Sequence, residues 1–105
     1  MLILASASPR RQELLKLAAQ DFSICPADID ETLPEDIAAE NAAEYLAVKK
    51  ASAVAGDPQH MYDTVIGCDT VVILDGEIMG KPRDINHARE MLTKLSGRVH
   101  KVVTG

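Results

Sequence analysis

Short aliphatic runs alternate with helix-patterned segments along the chain, and that alternation restricts the fold more than any other feature. Leu2-Ile3-Leu4-Ala5 reads as a short buried strand. Ser8-Pro9 then reads as a helix start, because serine can bond free N–H groups at an N-cap and proline suits the first helical position. Leu14, Leu15, Leu17 and Ala18 continue at helical spacing, and Phe22 to Cys25 form a second strand ended by Pro26. The spacing predicts a long helix from about Asp36 to Ala55, with Ile37, Ala43, Leu46, Ala47, Ala51 and Val54 inward and Gly56 as its stop. Thr64 to Cys68 and Val71 to Leu74 are strand-like runs interrupted by Asp69-Thr70. Asp75-Gly76 has hairpin-turn chemistry, with Ile78-Met79 as the return strand. Asp84 can cap a third helix carrying Ile85, Ala88, Met91, Leu92 and Leu95 on one face. Ser96-Gly97 ends it, and Val99 to Thr104 form a last strand.

This order predicts a single α/β domain over residues 1–105. Because 47% of residues are hydrophobic and only 3% aromatic, its core must be aliphatic. The net charge is 11 − 16 = −5, which disfavours a DNA- or RNA-binding face and a polybasic membrane surface. No apolar run approaches the roughly 18 residues of a membrane span. Met1 to Ala5 is too short, and is followed rather than preceded by Arg10-Arg11, to read as a signal peptide. Cys25 and Cys68 lie outside any C-x-x-C spacing and read as core residues. A cytoplasmic protein with no membrane or nucleic-acid partner is the expectation.

Four stretches have the composition of a chemical site. In Ser6-Ala7-Ser8-Pro9-Arg10-Arg11, a strand runs into a helix N-terminus bearing two hydroxyls and two arginines, which suits phosphate oxygens. A capped surface helix with solvated arginines would use the same residues. Asp28, Asp30 and Glu31 are clustered loop carboxylates, suited to Mg²⁺ or Mn²⁺ or simply to solvent. Asp69 lies between two apolar strands, where an acid is costly unless it is paired, metal-bound or facing a cleft; a turn aspartate is the alternative. Lys81, held between Gly80 and Pro82, is a restricted point charge or a plain turn lysine. Lys49 and Lys50 fall on the long helix, Lys50 at the edge of its inner face. His60, His87 and His100 share no metal-ligand spacing.

Together these stretches resemble the Maf family of nucleotide pyrophosphatases. The likeness runs in order through residues 4–15, Asp28-Ile29-Asp30-Glu31-Thr32, Lys50-Ala51, Gly67-Cys68-Asp69-Thr70-Val71-Val72 and Gly80-Lys81-Pro82. It ends with Leu95-Ser96-Gly97 and residues 100–105. It implies an α/β fold with a long twisted mixed sheet flanked by helices, similar to inosine triphosphate pyrophosphatases. It also implies hydrolysis of a nucleoside triphosphate to monophosphate and pyrophosphate, assisted by Mg²⁺ or Mn²⁺. On this resemblance Asp69 is the general base and a metal ligand, and Glu31 is a second metal-site carboxylate. Arg10, Arg11, Lys50 and Lys81 clamp the triphosphate, with Ser8 assisting. Asp-Thr at 69–70 resembles the branch acting on dTTP and UTP, whereas Asp-Gln there resembles the branch acting on 7-methyl-GTP. Arg10 and Thr70 are then specificity positions.

Members of this family run to nearly twice this length. The resemblance therefore implies an N-terminal portion whose C-terminal half, with one wall of the cleft, is missing. Two other readings stay open: a nucleotide-binding regulator without turnover, and an inactive fragment that forms a homodimer through its open sheet edge.

Overall fold

A computed structural model describes residues 1–80 and 84–105. Strand β1 (Leu2–Leu4) is the centre of a parallel three-stranded sheet. It pairs with β2 (Ser23–Ile24) on one side and β3 (Thr64–Ile66) on the other, with Ile3 opposite Ser23 and Val65. A parallel central strand is covered on both faces, and Ile3, Leu4 and Ala5 are accordingly buried. A second, antiparallel sheet has β4 (Thr70–Leu74) between β5 (Glu77–Met79) and β6 (Lys101–Thr104). The α/β class is met, with the mixed sheet divided in two and the chain passing from one sheet to the other through residues 67–69. Asp75 and Gly76 have φ of 53° and 77°, the two left-handed positions that a tight two-residue hairpin between β4 and β5 requires.

Helix α1 (Pro9–Lys16) starts as the sequence predicts: the Ser8 side chain accepts from the Arg11 N–H, and Pro9 takes the first turn. Helix α3 (Ile85–Leu95) likewise starts at Asp84, whose Oδ1 accepts from the His87 N–H at 2.8 Å. Helix α2 (Ala42–Ala55) begins later than the expected Asp36. Its entry is a 3-10 turn over Ala39–Asn41, and residues 25–38 have no helix or strand. Proline at 34 favours extended backbone just before it, and the Asp30 carboxylate binds the Thr32 N–H at 2.9 Å, so local bonding competes with helix there. Gly56 ends α2 with an ordinary right-handed φ of −73°.

Helix α2 joins the two halves of the core. Ala42 and Ala43 pack with Val71 and Ile73 of the antiparallel sheet, while Val54 packs with Ile3 and Ala5 of the parallel one. Small residues allow this close approach. The core is aliphatic, as composition requires, and Cys25 lies against its parallel-sheet cluster. Helices α1 and α3 have no fully buried residue; Leu14 and Leu17 are 59% and 86% exposed despite their helical spacing. Among the described residues no helix is long and apolar enough to cross a membrane.

Candidate active site

The carboxyl end of β1 and the passage from β3 to β4 lie side by side, because the Ala5 N–H donates to the Ile66 carbonyl at 2.9 Å. Ligands of parallel sheets bind beyond such strand ends. The turn leaving β1 carries Ser6, a buried polar side chain. Its Oγ accepts from the Ser8 N–H at 3.2 Å and from Arg11 Nη1 at 3.5 Å. Arg11 continues across the junction: Nη1 donates to the Cys68 carbonyl at 3.2 Å, and Nη2 donates to Thr70 Oγ1 at 3.1 Å. A guanidinium held by three acceptors is fixed in orientation, as a phosphate clamp needs.

Helix α2 approaches the same junction from the other side. Lys50 Nζ lies 3.5 Å from Asp69 Oδ1 and 3.3 Å from Glu31 Oε1, and the Lys50 and Asp69 side chains are each only 14% exposed. Asp69 Oδ1 also accepts from the Thr70 N–H at 2.9 Å. Asp69 Oδ2 has no partner among the described residues, so one oxygen of a largely buried carboxylate stays available. Asp69 is held in place by a backbone pair with Gly105: N–H to carbonyl at 3.1 Å one way and 2.9 Å the other. Arg11 and Lys50 thus converge on adjacent residues, 69 and 70, from two helices.

A cleft of about 470 Å³ opens beside this convergence. Glu31, Asp69 and Thr70 stand at its polar side, and Leu33, Val72, Ile78 and Met91 supply an apolar wall. A larger groove of about 580 Å³ on the outer face of α2 contains Tyr45, Val48 and Lys49 but none of the converging side chains. The converging side chains therefore border the smaller cleft and not the larger groove.

Of the residues expected from sequence, Glu31, Lys50, Asp69, Thr70 and Arg11 are brought together. Ser8 lies beside them, with its hydroxyl oxygen accepting from the Arg11 N–H at 3.4 Å. Arg10 is exposed, without a partner among the described residues. Lys81 lies outside the described residues. Of the acidic loop, only Glu31 joins the cluster. The Asp30 carboxylate turns to Thr32, whose hydroxyl bond, then N–H bond, hold it below the usual aspartate range, with Lys49 adding to the effect. Lys49 Nζ donates to the Asp30 backbone carbonyl, tying the loop beside Glu31 to α2. Among the described residues no group of three or more His, Cys, Asp or Glu side chains is arranged to hold a metal. His60 pairs with Asp63, as a structural histidine would. Two contributors escaped the sequence reading as functional groups, the Cys68 carbonyl and the Thr104 hydroxyl. A carbonyl leaves no mark in residue type, and Thr104 is identified only by its place opposite Thr70 in the β4–β6 register.

Comparison with known proteins gives a family and named relatives. A sequence family described as Maf-like protein matches residues 1–105. A dTTP/UTP pyrophosphatase of Clostridioides difficile (strain 630) is 48% identical over 104 residues, covering 99% of this chain and 53% of that protein. One from Myxococcus xanthus (strain DK1622) is 50% identical over 105 residues, covering 100% and 53%. One from Pyrococcus abyssi (strain GE5 / Orsay) is 48% identical over 105 residues, covering 100% and 54%. The chain spans about half the length of the curated relatives it matches.

Proposed function

The chain belongs to the Maf-like protein family, and from that premise we propose that it carries the phosphate-clamping and water-activating residues of a dTTP/UTP pyrophosphatase. The observation that carries this reading is the convergence of Lys50 and Arg11 on Asp69-Thr70 at the mouth of the cleft. The names of the matched relatives support the substrate class. The net charge of −5 favours a free nucleotide over a nucleic acid. Unpaired Cys25 and Cys68 support a cytoplasmic setting.

In this reaction the water oxygen bonds to the α-phosphorus, the bond from that phosphorus to the α,β-bridging oxygen breaks, and pyrophosphate leaves with the electron pair. Asp69 accepts the proton of the water through Oδ2, the oxygen without a partner among the described residues. Arg11, Arg10 and Lys50 neutralise phosphate oxygens, with Ser8 assisting and Lys81 adding a further charge. Thr70 and Arg10 face the choice of base. Two carboxylates sharing one ammonium, Glu31 and Asp69, form an oxygen donor set that suits Mg²⁺ or Mn²⁺ completed by substrate phosphates. Bound there, such a cation would neutralise charge building on the phosphate oxygens.

The test is pyrophosphate release from dTTP, UTP and 7-methyl-GTP with Mg²⁺ or Mn²⁺, run beside Asp69→Asn. Turnover of dTTP and UTP that drops about 10²-fold or more in Asp69→Asn is the expected result. Preference for 7-methyl-GTP would refute the substrate assignment. Nucleotide binding without turnover in either protein would replace the hydrolase with a nucleotide-binding regulator.

A further inference from the structure

The end of β6 grips the site at two successive residues. Gly105 pairs with Asp69 through both backbone hydrogen bonds, which makes Thr70 opposite Thr104 a non-hydrogen-bonded pair of the antiparallel ladder. Such pairs bring side chains closest together. The two hydroxyl oxygens are 3.0 Å apart, and Arg11 Nη2 donates to the same Thr70 Oγ1 at 3.1 Å. Arg11, Thr70 and Thr104 therefore form one hydrogen-bonded chain.

We propose that Thr104 is a positioning residue for the phosphate clamp: through the Thr70 hydroxyl it holds the Arg11 guanidinium in its binding orientation. This rests on the proposed role of Arg11 in binding triphosphate. The hydrogen count sharpens it. The two threonines have two hydroxyl hydrogens between them, and their mutual bond uses one. Arg11 supplies its own hydrogen, so one hydroxyl hydrogen remains for a ligand. A ligand presenting an acceptor, such as a pyrimidine carbonyl or a phosphate oxygen, fits this arrangement; a donor in the same place would leave that hydrogen without an acceptor. Removing the Thr104 hydroxyl frees Thr70 to rotate and removes one of the restraints on Arg11.

The experiment measures dTTP binding by calorimetry and steady-state pyrophosphate release for the full chain, Thr104→Val, Thr104→Ser, Arg11→Lys, and the double variant Thr104→Val with Arg11→Lys. Thermal unfolding of each is recorded. Expected is a loss of dTTP affinity of roughly 3–10-fold in Thr104→Val, the size of one hydrogen bond. It appears in KM more than kcat, is restored in Thr104→Ser, and is absent when Arg11 is already lysine. Equal losses in both Arg11 backgrounds, or no loss while the parent chain binds dTTP, would overturn the positioning role and leave the pyrophosphatase assignment intact. Binding that follows the expected pattern without turnover would do the reverse. A parent chain that binds no dTTP would overturn both.

Discussion

Gly67 passes beneath the backbone of Ala47 so closely that a Cβ at 67 would stand 2.1 Å from the Ala47 carbonyl oxygen and 2.9 Å from the Ala51 side chain. This is where α2 crosses the passage between the two sheets, one turn before Lys50. The crossing sets the height of Lys50 above Asp69, so a contact that looks purely structural also determines the site. Gly67→Ala forces helix and strand apart, and the obstructing atom is backbone, which cannot rotate away. A destabilisation of about 1–3 kcal/mol is expected, the usual size of overpacking. Urea unfolding checks it, and dTTP turnover should fall by more than the stability loss explains. A Gly67→Ala protein with parental stability and turnover would show that α2 has room to shift.

Lys50 is the common partner of Glu31 and Asp69. Lys50→Met leaves these two carboxylates without their shared cation and removes a charge from the proposed phosphate clamp. A fall in dTTP kcat/KM of about 10²-fold is expected, comparable to removing one positioned charge-stabilising donor. Lys50→Arg should recover only part of it, because a planar fork does not replace a point charge between two carboxylates. Pyrophosphate release under excess Mg²⁺ or Mn²⁺ measures both. Unchanged kcat/KM in Lys50→Met would remove Lys50 from the clamp and leave it a structural ion pair.

Acid sensitivity has a source away from the cleft. The His60 bond at 3.0 Å, followed by the Met1 ammonium at 3.1 Å, holds the Asp63 carboxyl below its ordinary value. A carboxylate lowered in the folded state contributes stability above its unfolded value of about 3.9, and that contribution is lost as pH falls through the lower folded value. Asp63→Asn should therefore lower the urea midpoint near neutral pH. The gap between the two proteins should close below about pH 3.9. A gap that widens on acidification would contradict this sign and point to another titrating group.

Much of this arrangement is written in local residue choice, and the rest is not. Ser8-Pro9, Asp84 and Asp75-Gly76 act on backbone within a few residues of themselves, so the starts of α1 and α3 and the β4–β5 hairpin are legible from the chain. The start of α2 is less so. Residues 36–38 have helix-compatible composition, but Asp30, Thr32 and Pro34 organise the segment before them differently. Residue types alone identify Arg11, Lys50, Glu31 and Asp69 as chemically able; in isolation each has a bland explanation. What removes that explanation is distance across the fold: Arg11 meets Thr70 over 59 positions of sequence. The Thr70–Thr104 contact depends on strand register, which is set by the whole β4–β6 pairing and not by either threonine. The exposure of Leu14 and Leu17 was equally out of reach, since helical spacing identifies an apolar face without showing what covers it.

Residue 70 offers the sharpest check on substrate choice. The Thr70 oxygen accepts from Arg11 and exchanges a hydrogen bond with Thr104, and its backbone N–H binds Asp69. Glutamine there resembles the branch of the family acting on 7-methyl-GTP. Thr70→Gln leaves the backbone bond to Asp69 in place, so the proposed general base keeps its position. It replaces a short hydroxyl between two partners with a longer amide, which must either displace Thr104 or reach into the cleft. Loss of one positioned hydrogen bond typically costs about 0.5–1.5 kcal/mol, so dTTP and UTP kcat/KM should drop by roughly 3–10-fold. The ratio of 7-methyl-GTP to dTTP turnover should rise with it. Competition assays containing both nucleotides measure the ratio directly. If dTTP and 7-methyl-GTP turnover fall in equal proportion, residue 70 acts through Arg11 alone and base choice is made elsewhere in the cleft.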